Sequence, residues 1–337
     1  MIYLLYTGGT FGMDHQDPAN PNSPLSAQPF SQLLPKMPLF TFVQTIHKHD
    51  RELKVFDYKT LKIHCDSLTK PVDSSDVTPH LWQEIANIIA KVYHDYVGFV
   101  IIHGTDTMAY SASALSFMLD GLDKPVIFTG SNVPLLGDKS DALANLKLAI
   151  TSATSPEYTN NVWIAFNNQI TLGNSSTKLG SDAGFTDFKR PHRFTKKVFV
   201  NEKFSALTNI EPSVTPIFVT PSLSSQAIRD ILRSDNCHSF IFMTYGCGNY
   251  PTSEDYSAPI KEALDAGKII ANISQTSTGK AVKSLYQSSF SRLDDRILTL
   301  QHMTIETASA KLMWAKANLP ADEIKNFMEE DQKGELA

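Results

Sequence analysis

The sequence predicts an α/β protein with mainly parallel sheets, divided into a larger N-terminal and a smaller C-terminal domain. Apolar runs of strand length recur, amphipathic helical patterns lie between them, and the alternation restarts after about residue 199. Uninterrupted apolar strands between such helices are typical of a parallel sheet covered on both faces. A chain of 337 residues is also long for a single core. We expect a first domain over 1–190, a linker over 191–210 and a second domain over 211–337.

The N-terminal domain is predicted to alternate strands with helices. Its strands are the apolar runs at 2–6, 98–102, 125–129 and 162–166. Its helices carry apolar residues at helical spacing over 81–93, 108–122 and 141–150. Thr78 and Pro79 provide a cap and first turn for the first helix, and Ser140 provides a cap for the third.

The C-terminal domain repeats the same alternation on a smaller scale. Strands are predicted at 215–219, 239–244 and 268–273. Helices are predicted at 224–232, 258–266, 304–317 and 321–330. The tail from 329 to 337 is predicted to fray, as chain ends commonly do.

The segment 14–35 is rich in proline, with Asp, Asn and Ser between the prolines. This composition excludes a helix and disfavours a strand. We therefore predict a long loop. A loop of this kind directly after a glycine-rich strand end is either a lid over a site or a plain surface excursion.

The composition excludes several classes of protein. A net charge of −5 without a basic block argues against a nucleic-acid partner, because binding to phosphates needs clustered Lys and Arg. Cys65, Cys237 and Cys247 form no CxxC motif and predict neither a zinc knuckle nor a disulfide framework. The start lacks signal-peptide features, and its apolar run is too short to span a bilayer. We expect a cytoplasmic protein.

Two hydroxyl-bearing loops follow predicted strands, one at 7–12 and one at 103–107. Open α/β sheets place reactive groups in such loops. The glycine spacing of the first loop does not match GxGxxG, and the following prolines prevent the helix that a dinucleotide site needs. Thr10 is therefore either a nucleophile made accessible by glycines or a turn residue whose hydroxyl bonds the backbone.

A threonine nucleophile needs a base or a proton relay beside it. Thr105 and Asp106, at the start of a predicted helix, and the distant Lys178 could supply one. Each also has a plainer interpretation. Thr105 and Asp106 are favoured helix caps, and most lysines are simply solvated.

The loop Asp73-Ser74-Ser75-Asp76 combines carboxylates with hydroxyls in a short space. Such a group suits a ligand that carries an α-ammonium and an α-carboxylate together. The alternative is ordinary polar turn chemistry. His47 and His49 form an HxH pair without a third ligand at suggestive spacing, so we interpret them as loop histidines.

Several motifs follow one another along nearly the whole chain. They are TGGT at 7–10, DSSD at 73–76, HGTDTMAYSASALSFML at 103–119, TGS at 129–131, TK at 177–178 and YGCGN at 245–249. In this order they resemble the bacterial L-asparaginases, specifically the cytoplasmic type I branch. The run beginning HGTDTM after a buried strand is the most specific of them.

The resemblance implies hydrolysis of L-asparagine to L-aspartate and ammonia, without metal or cofactor, and with possible weak glutaminase activity. It implies Thr10 as the nucleophile that forms an acyl-enzyme. Proton transfer would fall to Thr105, Asp106 and Lys178. Substrate binding would fall to Asp73, Ser74, Ser75, Thr105 and Asp106. The resemblance also implies a homodimer or a dimer of dimers.

Two features depart from the family pattern. The family's lid usually brings a tyrosine to the nucleophile, and this chain has no tyrosine between Tyr6 and Tyr58. Ser23, Ser26 or a tyrosine from elsewhere would have to replace it. The region matching a regulatory asparagine site in some type I enzymes contains no cysteine at 274–277.

Three other functions compete with this one. The amidase subunit of a tRNA-dependent amidotransferase shares the motifs but usually carries an additional N-terminal segment. A catalytically weak amino-acid-binding homologue is favoured only by the missing lid tyrosine. A nucleotide-binding oxidoreductase shares the fold class alone, and the proline-rich segment argues against it.

Overall fold

The computed structural model describes residues 1–17, 19–20, 22–180, 188–189, 203–276 and 279–336. The chain divides into two compact units. The first holds the described residues up to 208, and the second holds those from 209 onward. Each unit contains its own sheet and helices, so the predicted α/β class is confirmed. The linker boundaries stay a prediction, because 191–202 lie outside the described residues.

The first unit is built on an eight-stranded sheet. The strands of this unit are β1 (Ile2–Gly8), β2 (Met13–His15), β3 (Leu25–Ala27), β4 (Thr41–Lys48), β5 (Arg51–Tyr58), β6 (Leu61–Val72), β7 (Gly98–Ile102), β8 (Leu119–Asp120), β9 (Val126–Thr129), β10 (Val162–Phe166), β11 (Gln169–Leu172), β12 (Thr177–Lys178), β13 (Phe188–Lys189) and β14 (Ser205–Ala206). The main sheet has the order β11-β10-β9-β7-β1-β6-β5-β4. Strands β10, β9, β7, β1 and β6 are parallel, while β11, β5 and β4 run antiparallel to a neighbour.

The helices of the first unit are α1 (Phe30–Leu33), α2 (Pro79–Val92), α3 (Met108–Met118) and α4 (Ala142–Ser152). Helix α2 begins with the predicted proline, which suits the first turn because its missing N–H needs no partner there. Ser140 accepts a hydrogen bond from the Ala142 N–H at 3.2 Å, but the N-cap of α4 is Asp141, so the predicted cap is one residue too early. Helix α3 ends before the predicted residue 122, because 119–120 form β8 and pair with β14.

Strands β4, β5 and β6 are absent from the sequence prediction. They carry Lys, Arg, Asp and Glu between their apolar residues, and β4 is an edge strand with mostly exposed side chains. Their apolar pattern is therefore too broken to resemble the buried parallel strands. The prediction that His47 lies in a loop is wrong, because this residue belongs to β4; His49 lies in the turn after it, with a φ of 54°.

The proline-rich segment also departs from the prediction of a structureless loop. Strands β2 and β3 pair antiparallel in the register Met13 with Ala27 and His15 with Leu25, and the short α1 follows Pro29. Proline is compatible with this arrangement because the paired residues contain none, while Pro24 contributes only its carbonyl, to the Gln16 N–H at 2.9 Å. The segment is therefore a hairpin followed by one helical turn.

The second unit contains a four-stranded parallel sheet in the order β15-β16-β17-β18. Its strands are β15 (Val214–Phe218), β16 (Ser239–Thr244), β17 (Ile269–Ser274) and β18 (Leu298–Thr299). Its helices are α5 (Ser225–Leu232), α6 (Glu254–Asp265), α7 (Ile305–Asn318) and α8 (Ala321–Glu329). The core of this unit includes Phe240, Phe242, Ile260 and Phe290, all fully buried. Helix α6 starts four residues before the predicted 258 and contains Pro259 beyond its first turn, where the proline leaves the Asp255 carbonyl without the usual helical partner.

The prediction that the tail frays is wrong. The side chains of Lys311 and Glu335 are both fully buried, and their Nζ and Oε1 atoms lie 2.6 Å apart. The carboxylate also accepts the Lys333 N–H at 2.7 Å and the Gln332 N–H at 3.0 Å. Burial alone would raise the pKa of the Glu335 carboxyl, but the ammonium and these donors hold it below its ordinary value. The tail is thus fixed to α7 by a buried ion pair.

Removal of this buried cation is expected to destabilise the protein. Lys311→Met leaves the Glu335 carboxylate without its counter-charge, which should lower the free energy of unfolding by about 3–5 kcal/mol. Urea unfolding followed by circular dichroism measures the change. The control is Lys62→Met, which removes an exposed pair with Asp57 at 3.0 Å and should cost at most about 1 kcal/mol. Equal losses for the two variants would contradict the assignment.

Candidate active site

Four neighbouring parallel strands of the first unit end at one edge of the main sheet. Tyr6 of β1 pairs with Ile102 of β7, which in turn pairs with Thr129 of β9, while Gly8 pairs with Val72 of β6. The loops that follow these strands therefore emerge side by side. This edge, outside the carboxyl ends of the strands, is where open α/β sheets bind ligands.

Glycines allow the loops after β1 and β7 to touch. The Gly9 N–H donates to the Val72 carbonyl at 2.9 Å. A Cβ atom at Gly9 would lie only 2.3 Å from the Gly104 Cα, and one at Gly104 would lie 2.5 Å from the Ser74 Cβ. No side chain fits at either contact. Residues adjacent to Thr10, Thr105 and Ser75 are thereby held in direct backbone contact.

Gly9→Ala should be strongly destabilising for two separable reasons. Its φ of +78° is disfavoured for alanine, at a cost of about 1–2 kcal/mol, and the added methyl also collides with the Gly104 backbone. Gly267→Ala is a control for positive φ alone, because Gly267 has a φ of +79° with no atom within 4 Å of the added Cβ, whereas Gly9 combines its φ with a ψ of 178° that only glycine readily adopts. Urea unfolding should show a clearly larger loss for Gly9→Ala. Indistinguishable losses would mean that the two loops are not in contact.

The predicted relay residues meet in the first unit. The Lys178 Nζ donates to the Thr105 Oγ1 at 2.9 Å and lies 2.5 Å from the Asp106 Oδ1. Thr105 is 5% exposed and the Lys178 side chain 16%, whereas the Asp106 side chain is 63% exposed. The lysine is therefore not simply solvated. A side-chain cap from Asp106 on α3 is also not seen, because Thr107 occupies the N-cap position and makes no such bond.

The loop after β6 is tied to the loop after β7. The Ser74 Oγ accepts the Thr107 N–H at 3.0 Å, and the Thr107 hydroxyl donates to the Ser74 carbonyl at 2.9 Å. Within the first of these loops, Asp73 accepts hydrogen bonds from the Ser75 N–H at 2.9 Å and from its hydroxyl at 2.8 Å. Ser74 is buried, while Asp73 and Ser75 keep exposed surface. The predicted substrate loop thus lies against the relay loop.

Thr10 begins a single turn of 3₁₀ helix, residues Thr10–Gly12, and is partly exposed. The turn interpretation requires its hydroxyl to bond the backbone, and among the described residues no hydrogen bond engages it. The residue before Thr10, Gly9, contacts Gly104, which precedes Thr105. The predicted nucleophile and the predicted relay therefore lie on touching loops.

Asp141 and Asn145 support the turn after β9, and their role is not evident from the sequence. Asp141 accepts the Asn132 N–H at 3.1 Å and the Val133 N–H at 3.0 Å, and the Asn145 side-chain amide donates to the Gly130 carbonyl at 3.0 Å. Together they hold the turn after β9. The only signal in the sequence is that Asp141 and Asn145 are four residues apart and so share a helix face.

Comparison with known proteins identifies the family. The family model described as "Asparaginase, N-terminal" matches residues 1–206, and the model described as "Glutaminase/Asparaginase C-terminal domain" matches residues 213–328. The chain belongs to the asparaginase family. Membership makes the protein an amidohydrolase, so the predicted family and enzyme class are confirmed.

Individual relatives extend this match over the whole chain. L-asparaginase 1 of Escherichia coli K12 is 33% identical over 99% of this chain and 97% of its own length. The crystal structure of L-asparaginase I from Vibrio cholerae is also 33% identical; it covers 100% of this chain and 98% of its own, with a TM-score of 0.79. The mouse protein named 60 kDa lysophospholipase is 30% identical over 99% of this chain but only 62% of its own length. None of the described helices of this asparaginase homologue is long and apolar enough to cross a membrane.

Proposed function

We propose that this protein hydrolyses L-asparagine to L-aspartate and ammonia. The observation that carries the proposal is the contact of Lys178 with both Thr105 and Asp106, on a loop packed against Gly9. This set provides a proton relay on a loop that contacts the loop carrying the free Thr10 hydroxyl. The full-length similarity to L-asparaginases favours this activity over an amidotransferase subunit.

The first half of the reaction is acyl transfer to Thr10. Its Oγ attacks the side-chain amide carbon of asparagine, and its proton moves to the Thr105 oxygen. Lys178 passes one proton to the Asp106 carboxylate, and the lone pair that this frees on Nζ takes the original Thr105 proton. The C–N bond then breaks, the relay returns the proton to the leaving nitrogen, and ammonia departs. An ester between the Thr10 oxygen and the aspartyl group remains. In the second half, water attacks the ester, gives up a proton through the same groups and releases L-aspartate and the Thr10 hydroxyl.

The geometry supports separate roles for the relay residues. The Thr105 hydroxyl accepts from the Lys178 ammonium and keeps its own proton to donate. The Asp106 carboxylate compensates the charge of the mostly buried lysine and is the base that takes up the proton carried by the relay. The start of α3 directly after them favours negative charge that develops on the amide oxygen during attack.

Substrate binding falls to the loop after β6. The partly exposed carboxylate of Asp73 and the exposed carboxylate of Asp106 suit the α-ammonium group. The exposed Ser75 hydroxyl donates to Asp73 and would exchange this bond for one to the α-carboxylate. Ser74 contributes through its bonds to Thr107, which hold this loop against the relay. Thr105 accepts from the lysine and directly follows Gly104, which packs against Ser74.

Three further properties are proposed with this function. The protein is cytoplasmic, as its few and dispersed cysteines suggest. It forms a homodimer or a dimer of dimers, which analytical ultracentrifugation can test. Glutamine is a weak second substrate, because a pocket typically distinguishes one methylene by only about 1–3 kcal/mol, or about 10–200-fold in kcat/KM.

A coupled ammonia-release assay tests the activity directly. L-asparagine should release ammonia, L-glutamine should react more slowly, and D-asparagine should not react. Calorimetric binding of L-asparagine without ammonia release would instead identify an amino-acid-binding homologue. Ammonia that is released only to a tRNA-dependent partner would restore the amidotransferase interpretation.

A further inference from the structure

A chain of buried polar groups runs behind the relay loop and takes no part in the chemistry proposed above. The Trp82 Nε1–H donates to the Ser111 Oγ at 2.9 Å, and this oxygen lies 3.0 Å from the His103 Nε2. On its other side, the His103 Nδ1 lies 2.7 Å from the Gly104 carbonyl oxygen. His103 and Ser111 are at most 1% exposed, and Trp82 is 5% exposed.

The partners determine which nitrogen of His103 carries the proton. A carbonyl oxygen can only accept, so the Nδ1 must be the donor to Gly104. In the neutral ring the Nε2 is then an acceptor, and the Ser111 hydroxyl donates to it while accepting from Trp82. Burial lowers the pKa of His103 to about 4, so the ring is neutral at physiological pH. Every member of the chain is thus satisfied in one arrangement only.

The hydrogen-bonded chain ends at the peptide that joins Gly104 to Thr105. The Gly104 carbonyl and the Thr105 N–H belong to one rigid plane, so a bond to the carbonyl orients the backbone of Thr105 as well. Gly104 is also the residue against which Gly9 packs. A rotation of this peptide would therefore displace both the relay threonine and the loop that carries Thr10. Purely apolar packing at this position would leave the peptide free to turn.

We propose that His103 is a positioning residue for the amide hydrolysis, whose Nδ1–H sets the Gly104–Thr105 peptide and is itself directed by Ser111 and Trp82. The inference rests on the proposed function. It assigns to His103 no contact with substrate and no proton transfer. Its role is to keep the Thr105 hydroxyl and Thr10 aligned, so its loss should affect kcat far more than KM.

Two substitutions at position 103 separate positioning from packing. The side-chain nitrogen of asparagine occupies the place of Nδ1, whereas that of glutamine reaches the place of Nε2. His103→Gln should therefore lower kcat for L-asparagine by about 10–100-fold with KM changed by less than about threefold. His103→Asn should lose much less, although both variants remove the ring. Ser111→Ala and then Trp82→Phe should show progressively smaller losses.

Matched controls make the outcomes decisive. His64 is another buried histidine, with its Nδ1 2.9 Å from the Tyr96 hydroxyl, and His64→Gln should reduce stability without lowering kcat. In ¹⁵N NMR spectra of the intact protein, His103 should show a protonated Nδ1 and a bare Nε2. The reverse tautomer overturns the inference, as do equal kcat values for His103→Asn and His103→Gln. A wild type that releases no ammonia overturns the proposed function as well, so the two failures are distinguishable.

Discussion

Thr10→Ala should lower kcat for L-asparagine on the order of 10⁴-fold or more, which leaves the protein essentially inactive. Alanine has no oxygen with which to form the ester, and the relay cannot substitute for a missing nucleophile. The fold should tolerate the change, because the Thr10 side chain is partly exposed and its hydroxyl has no bond to a described residue. Binding of L-asparagine should persist, since the residues that hold its amino-acid end are unchanged. Ammonia-release assays measure kcat, and calorimetry measures the binding of L-asparagine.

Thr10→Ser is the control for this variant. It keeps the hydroxyl and loses only a methyl group, so it should retain measurable turnover. Mass spectrometry of acid-quenched reactions should detect an aspartyl adduct on residue 10 in the wild type and none in Thr10→Ala. Substantial hydrolysis by Thr10→Ala would assign the nucleophile to another residue or to water.

Lys178→Met should produce the second largest loss, a fall in kcat of about 10²–10⁴-fold. Methionine is similar in length but has no N–H, so both the bond to Thr105 at 2.9 Å and the contact with Asp106 at 2.5 Å disappear. KM should change by only a few-fold, because the lysine acts on protons rather than on the amino-acid end of the substrate. Steady-state kinetics with L-asparagine separates the two parameters.

A double-mutant cycle with Thr105→Val completes this test. Valine keeps the shape of threonine without the hydroxyl, so it should also lower kcat strongly. If the residues act as one relay, the double variant should be little worse than either single variant. Lys62→Met, at the exposed pair with Asp57, should leave kcat unchanged. Near-normal kcat in Lys178→Met would remove the lysine from the mechanism.

The central part of the fold could be predicted because its strands are buried on both faces. Strands β1, β7, β9 and β10 consist almost entirely of buried apolar residues, so they form uninterrupted runs in the sequence. Strands at the margin have no such signal. Every residue of β4 keeps some exposed surface, so the composition of this strand is that of a solvent-exposed segment rather than of a buried core strand.

The candidate site was predictable to a similar extent. The loops after β1 and β7 contain glycine and hydroxyl residues directly after apolar runs, and parallel pairing brings such ends together. The approach of Lys178 to Thr105 could not be inferred from spacing, because it depends on the path of the chain through β12; only the family resemblance indicated it. The buried pair of Lys311 and Glu335 was missed for the same reason, since two charges distant in sequence look like solvated surface.

The central position of β1 has a consequence for how the polypeptide is made. Leu4 pairs with Cys65 on one side and with Val100 on the other. An apolar segment synthesised early must therefore wait for about 60 later residues before one edge can pair and for about 100 before the other can. Until then its unpaired edges are open to aggregation, and such long-range pairing slows folding. Production in a heterologous host should accordingly gain from slower translation or added chaperone.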